Sequence, residues 1–163
     1  MREMKMILLT LLVFVPLLCE GLQVQNLVLY DGVCKFCNRW VDVSLKLDRK
    51  AVLKYAALQS ETGKAALKAC GRAPEDISSI VYIPQANIDV SVAAATTRHF
   101  VKSDAVVQIA AKLGIPVLLF AGLLPLGLKD AAYDVIATNR YSLLGKLDSC
   151  RLLDVEYPER FLQ

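Results

Sequence analysis

From Asn26 to Tyr30 the chain is a short apolar run, NLVLY, of the kind that forms a buried strand. Beyond it the period changes. Apolar residues recur at helical spacing at Phe36, Trp40, Val43 and Leu47, while Lys35, Arg39, Asp42, Lys46 and Arg49 fall on the opposite face. The spacing predicts a helix over 35–49, joined to the strand by a turn at Asp31 and Gly32, where glycine accepts backbone angles that other residues resist. Residues 51–56 read as a second strand, parallel to the first if the helix is a right-handed crossover. A second helix opens at Ser60–Gly63 and runs to about Cys70, with Gly71 as its stop. Ser79–Ile83 reads as a third strand, ended by Pro84. Residues 85–95 are polar and then small, and suit a hairpin or a flexible insert. Residues 97–101 read as a fourth strand, followed by a helix over Asp104–Leu113 with Ser103 as N-cap and Gly114 as stop.

The C-terminal third is patterned differently. Residues 115–128 are nearly all apolar but are broken by Pro116, Gly122, Pro125 and Gly127, too short and too interrupted to span a bilayer. Burial over the sheet is the expected role, with membrane contact as the alternative. A final amphipathic helix is expected over 129–141, turning Ala132, Tyr133, Ile136 and Tyr141 partly inward. The polar tail after Cys150 is expected to pack loosely.

The turn between first strand and first helix carries Cys34-x-x-Cys37. Cys34 falls at the first turn of the helix, where unpaired N–H groups and the positive end of the dipole stabilise a thiolate, and Lys35 adds a cation. The thiolate is the attacking species in disulfide exchange, so Cys34 is the expected nucleophile. Cys37, one turn on and bordering the apolar stripe, is the expected resolving thiol and the more buried of the two. Asp31 is a candidate proton acceptor near Cys37. The preferred reading is that it caps the helix and fixes the turn with Gly32.

These residues resemble a known family. Tyr30-Asp31-Gly32-x-Cys34-x-x-Cys37 is similar to the signature of the DCC family of predicted thiol-disulfide oxidoreductases. The likeness continues in Lys102-Ser103-Asp104-Ala105, in 129–134 (KDAAYD), in Asn139-Arg140-Tyr141 and in Gly145-Lys146. The resemblance implies an α/β, thioredoxin/glutaredoxin-like fold, with a βαβ-α-ββα core and extra C-terminal helices. It also implies thiol-disulfide exchange, which requires no cofactor and no metal, with a protein or small-thiol substrate bearing a disulfide or dithiol. One departure concerns substrate docking. Thioredoxin-like proteins usually carry a cis-proline before the third strand, and here Ser78-Ser79 precede Ile80.

Residues 1–21 differ in character. Arg2 and Lys5 precede an apolar run from Met6 to Leu18, the length of a signal-peptide core rather than of a membrane span. The segment reads as a signal peptide cleaved after Gly21, or as an uncleaved hydrophobic segment, leaving 22–163 as one domain. A secretory or extracytoplasmic location follows. A chloroplast or mitochondrion is the alternative, although Glu3 and Glu20 do not suit a transit peptide.

A net charge of +3, with basic and acidic residues interleaved, argues against nucleic acid as a partner. Of five cysteines only Cys34 and Cys37 form a close pair. A structural zinc site would want a second such pair, and Cys70, Cys150 and His99 are scattered. The competing function is a non-catalytic domain, in which the pair is a structural disulfide or metal clip and the apolar C-terminal region binds a partner. His99 reads as a surface or edge-strand residue, Trp40 as core and Cys70 as a small buried residue. Cys150 is either free or paired with Cys70.

Overall fold

The computed structural model describes residues 22–88, 97–116 and 123–163. Residues 1–21, 89–96 and 117–122 lie outside the described residues. So do the expectations of a leader, of an insert at 89–95 and of burial for 117–122.

The elements in chain order are β1 (Leu22–Tyr30), α1 (Lys35–Leu47), β2 (Lys54–Ala57), α2 (Glu61–Ala69), β3 (Val81–Ile88), β4 (Phe100–Val101), α3 (Lys102–Leu113), α4 (Leu126–Leu144) and β5 (Phe161–Leu162). They form a five-stranded mixed sheet in the order β4-β3-β1-β2-β5. β1 and β2 are parallel, as a helical crossover requires, and β3 returns antiparallel to β1. This is a mixed α/β architecture consistent with the thioredoxin-like expectation.

Period-two alternation along β1 divides the core. Leu27 and Leu29 pack with Ala66, Leu67, Val81 and Ile83 beneath α2. Val28 and Tyr30 point the other way, into a cluster with Val41, Leu45, Ala105 and Ile109 beneath α1 and α3. Burial of each such side chain contributes roughly 1.5–3 kcal/mol relative to exposure, which is what holds the helices to the sheet. Local chemistry ends the helices. The Ser60 hydroxyl accepts from Gly63 N–H at 3.0 Å to start α2. Gly71 and Gly114, at φ +69° and +67°, close α2 and α3.

Several expectations fail. Pro84 does not end β3, which runs to Ile88. The pairing with β1 skips only the Asn26/Pro84 position, where Asn26 takes φ +53° and its amide oxygen accepts from the Tyr82 hydroxyl at 2.7 Å. The ladder thus steps over the missing N–H and resumes in register. β4 is only two residues long. Ser103 does not cap α3, because Val101 holds that position without a side-chain bond, and the Ser103 hydroxyl is turned to Asp130 instead.

α4 is longer than expected, and only part of the expected face turns inward: Tyr133 and Tyr141 are half-buried, as expected. None of its residues is fully buried; Ala132 points to solvent together with Leu128 and Val135, and Ile136 is about half exposed. Polar contacts hold its inner face. Lys129 pairs with Asp104, Lys102 with Asp134 at 2.8 Å, and Ser103 with Asp130. The apolar stretch that leads into it and forms its first turn is exposed at Leu123, Leu124, Leu126 and Leu128, contrary to the expected burial. The tail is not loose either. It returns as β5, parallel to β2, with Phe161 buried and stacked on Tyr55 at 5.6 Å between ring centroids. Arg160 is buried with it. Its Nη2 donates to the Asp48 carboxylate and its Nε to Leu53 C=O at 2.6 Å.

Candidate active site

β1 ends in the core at Tyr30 and delivers Asp31–Cys34 to the N-terminus of α1. Asp31 Oδ1 accepts from Val33 N–H at 3.2 Å, fixing the turn. Asp31 does not cap the helix. Cys34 does, in extended conformation, its Sγ accepting from Cys37 N–H at 3.3 Å. Gln59, after β2, clamps the turn from the side: its Nε2 donates to Asp31 Oδ1 at 2.8 Å and its Oε1 accepts from Gly32 N–H at 3.0 Å. Asn38 braces it from below, donating to Gly32 C=O at 3.0 Å and Cys34 C=O at 2.8 Å.

Gly32 is required for space rather than for unusual dihedrals. Its φ is not positive, but a Cβ there would stand 2.9 Å from Ala57 Cβ and 3.2 Å from Arg151 C=O, and against Cys150 Sγ.

The order of burial in the cysteine pair is the reverse of that expected. Cys34 has 0% exposure, whereas Cys37 is half-buried and lines a cleft. A strap over 145–151, following α4, covers Cys34. Lys35 N–H donates to Gly145 C=O at 3.2 Å, Leu147 N–H to Val33 C=O at 2.7 Å, and Arg151 N–H to Gly32 C=O at 3.0 Å. Cys34 and Lys146 form a single antiparallel bridge within it. Lys35 is exposed on the first turn of α1.

Electrostatics separate the two thiols. Burial pushes the Cys37 thiol well above the ordinary range, the bond to Cys34 and the Cys34 and Asp31 charges push it further, and Arg140 partly offsets them. Cys37 is therefore held protonated. The Cys34 sulfur is the one on the helix N-terminus, where it accepts the Cys37 N–H.

Sequence reasoning missed Gln59, Asn38 and the α4 groups. Asp31 is buried, and its Oδ2 accepts from the Tyr141 hydroxyl and from Arg140 Nη2 at 3.3 Å. Arg140 lies 4.7 Å, and Lys146 4.2 Å, from the centroid of the Tyr141 ring. The Tyr133 hydroxyl accepts from Ile80 N–H at 3.0 Å. For Tyr133, Arg140, Tyr141 and Lys146 the signal was their place in the segments that resemble the family, whereas Asn38 and Gln59 lie outside those segments. Those segments turn out to touch one another: 102–104 meets 129–134, and 140–146 meets the cysteine turn.

Cys70 and Cys150 are both free. Cys70 is buried in the core beneath α2, as expected. Cys150 lies on the strap against Gly32 and donates to Gln59 Oε1 at 3.6 Å. Trp40 is half-buried and lines the cleft rather than sitting wholly in the core. Ser79, before β3, is buried, and no cis peptide bond occurs among the described residues. Among those residues no three His, Cys, Asp or Glu side chains converge as metal ligands.

A two-thiol turn of this kind, with one sulfur on a helix N-terminus and the other beside a cleft, can exchange disulfides. Comparison with known proteins points the same way. The family described as DCC1-like thiol-disulfide oxidoreductase matches residues 28–146. A DCC family protein of Arabidopsis thaliana described as chloroplastic is 37% identical over 131 residues, which cover 78% of this chain and 70% of the relative. An uncharacterised Bacillus subtilis protein, YuxK, is 34% identical over 145 residues, covering 86% of this chain and 96% of the relative. No solved structure matches. The chain belongs to the DCC1-like thiol-disulfide oxidoreductase family.

Proposed function

We propose that the chain is a thiol-disulfide oxidoreductase acting through Cys34 and Cys37, with Cys34 as nucleophile, Cys37 as resolving thiol, and Asp31, Gly32 and Lys35 in support. The observation that carries this reading is the Cys34 sulfur at the N-cap of α1, accepting Cys37 N–H, beside a neighbour held as a thiol. The Cys34 thiolate attacks one sulfur of a substrate disulfide. The Cys34–substrate S–S bond forms as the substrate's own breaks, and the first thiolate leaves and takes a proton. Cys37, giving up its proton, then attacks the Cys34 sulfur. The second thiolate is released and the Cys34–Cys37 disulfide holds the two electrons' worth of oxidation. A cellular dithiol restores the reduced pair, and the same steps run in reverse oxidise a substrate. The partner is a disulfide- or dithiol-bearing molecule. Cover by the strap means that residues 145–147 must give way before a bulky disulfide reaches Cys34.

A second reading makes Cys37 the attacking thiol, favoured by its place on the cleft while Cys34 is fully covered. Cys34→Ser and Cys37→Ser proteins separate the two when each is incubated with 2-hydroxyethyl disulfide and weighed intact. The first reading expects a stable adduct on Cys34 in Cys37→Ser protein, little on Cys37 in Cys34→Ser protein, and loss of turnover in both. The opposite pattern reassigns the nucleophile. Full turnover in both variants removes the pair from the mechanism.

For location, the chloroplastic relative favours an organelle over the secretory route. Imaging the full chain fused to a fluorescent protein in its native cell tests this. A signal in the secretory pathway would reverse it.

A further inference from the structure

The cleft beside Cys37 is built for a particular kind of guest. Four aromatic residues, Tyr30, Phe36, Trp40 and Tyr133, line it, together with aliphatic side chains such as Val106, and Cys37 is the sulfur on its wall. Its cavity volume is about 90 Å³ and it is open at the mouth, so it takes one small apolar group rather than a whole ligand.

Two features limit what enters. The first is the Ile80 N–H, the backbone donor at the entry to β3. An extended polypeptide docking against that segment would use such a donor for main-chain pairing. Here it is occupied by the Tyr133 hydroxyl at 3.0 Å, and that same ring forms part of the wall. The second is Arg140. Its guanidinium is spent on Asp31 at 3.3 Å, Ile77 C=O at 3.1 Å and Ala137 C=O at 2.9 Å. Its buried Nε–H is without a partner among the described residues. The cleft therefore offers mainly ring and aliphatic surface, with Ser78 and Ser79 as its small polar residues, and the Asp31 and Arg140 charges on its wall are paired with each other.

We propose that this cleft is a binding site for the aryl or branched-alkyl group of a small, uncharged organic disulfide, and that Tyr133 discriminates against polypeptide substrates by occupying the Ile80 N–H. The proposal rests on the thiol-disulfide reading above and names its substrate class. Flat apolar groups gain most from such a site, because ring faces stack while apolar area leaves water. In the exchange the cleft holds the organic group that stays joined to the enzyme in the mixed disulfide, next to the Cys37 thiol that must release it.

The test has a binding arm and a turnover arm. Trp40 is the chain's single tryptophan, so its fluorescence reports the cleft directly. Reduced wild-type protein is titrated with thioanisole, an aryl thioether that cannot exchange. The expected result is a saturable change in emission, weakened about tenfold or more by Val106→Phe, which fills the cleft. In the second arm, kcat/KM is measured for 4,4′-dithiodipyridine and for a disulfide-bonded peptide. Wild-type protein is expected to favour the aryl disulfide, and Tyr133→Phe to raise the peptide-to-aryl ratio by about tenfold through the peptide KM. No saturable response to thioanisole overturns the site, whatever Val106→Phe does. Equal kcat/KM for both substrates in wild-type protein overturns the discrimination. Saturable thioanisole binding with neither disulfide turned over upholds the apolar site and sinks the redox reading instead.

Discussion

Gly32 illustrates how a single atom constrains the active turn. The residue has an ordinary φ, so its glycine identity follows from the neighbours that crowd its Cα: Ala57, the Arg151 carbonyl and the Cys150 sulfur. Adding one methyl there pushes the strap off the turn or displaces β2. Gly32→Ala is expected to cost about 1–3 kcal/mol, the usual range for overpacking. Urea denaturation with Cys34 and Cys37 kept reduced measures it. Cys150→Ala in the same background removes the nearest of the three atoms and is expected to return part of the loss. A Gly32→Ala protein as stable as the parent would show that the strap is free to move aside. The same logic makes Cys150 a packing residue of the turn, although it is far away in the sequence.

Among elements, β5 and α4 do the most unexpected work. β5 is only two residues long and is anchored by a buried ion pair: Arg160 and Asp48 are both almost fully buried, and Asp48 Oδ2 also accepts from Leu53 N–H at 2.8 Å. Removing one partner strands the other charge away from water, so Arg160→Met is expected to destabilise by about 3–5 kcal/mol. Adding Asp48→Asn should restore a good part of that, since the orphan charge is then gone. Chemical denaturation of the two single variants and the double variant gives the coupling directly. Strictly additive losses would mean that the pair contributes nothing beyond its separate contacts. α4 depends on weaker ties. The Lys102–Asp134 pair is well exposed and worth little, about 0.2–1 kcal/mol. The groups that matter more are Tyr133, Arg140 and Tyr141, which tie α4 to Ile80 and to Asp31.

Over the whole molecule, the buried acids predict how stability responds to alkali. Burial pushes the Cys70 thiol up to about 11 from 9.0. Burial also raises Tyr55 to about 12 from 10.0, against the opposing effect of its Ser44 hydrogen bond. In both cases the folded state keeps a proton that the unfolded chain has lost, so stability falls as pH rises. The contribution is complete below about pH 9, shrinks from there, and is gone once the pH passes the folded values of about 11 and 12. The urea midpoint is therefore expected to drop between pH 9 and 11, and Cys70→Ala to flatten that slope even though its cavity lowers stability overall. A slope unchanged in Cys70→Ala would place the titration elsewhere, with the tyrosines. The two cores on the sheet's opposite faces share this cost, Cys70 lying on one side and Tyr55 on the other.

Much of this molecule is written in short-range pattern. The change of period at Tyr30 marks β1, the turn and α1. Ser60 and Gly63 mark the start of α2, and alternation through Leu27 to Tyr30 assigns the two faces of the sheet. The Cys34-x-x-Cys37 spacing needs only a helix beginning at Lys35 to put one sulfur on its cap, and that is where it lies. These features depend on residues a few positions apart, whose backbone preferences act before the rest of the chain has folded. The remainder depends on partners brought together from far along the chain. Pro84 survives inside β3 because Asn26 bends opposite it, and the polar tail is drawn back by Asp48. α4 leaves Leu128, Ala132 and Val135 outward because its inner face answers Lys102, Ser103 and Asp104. Cys34 is hidden, and Cys37 left at the cleft, because a strap more than a hundred residues downstream crosses the cap. No local spacing encodes such a crossing, since burial is a property of what the rest of the chain lays on top.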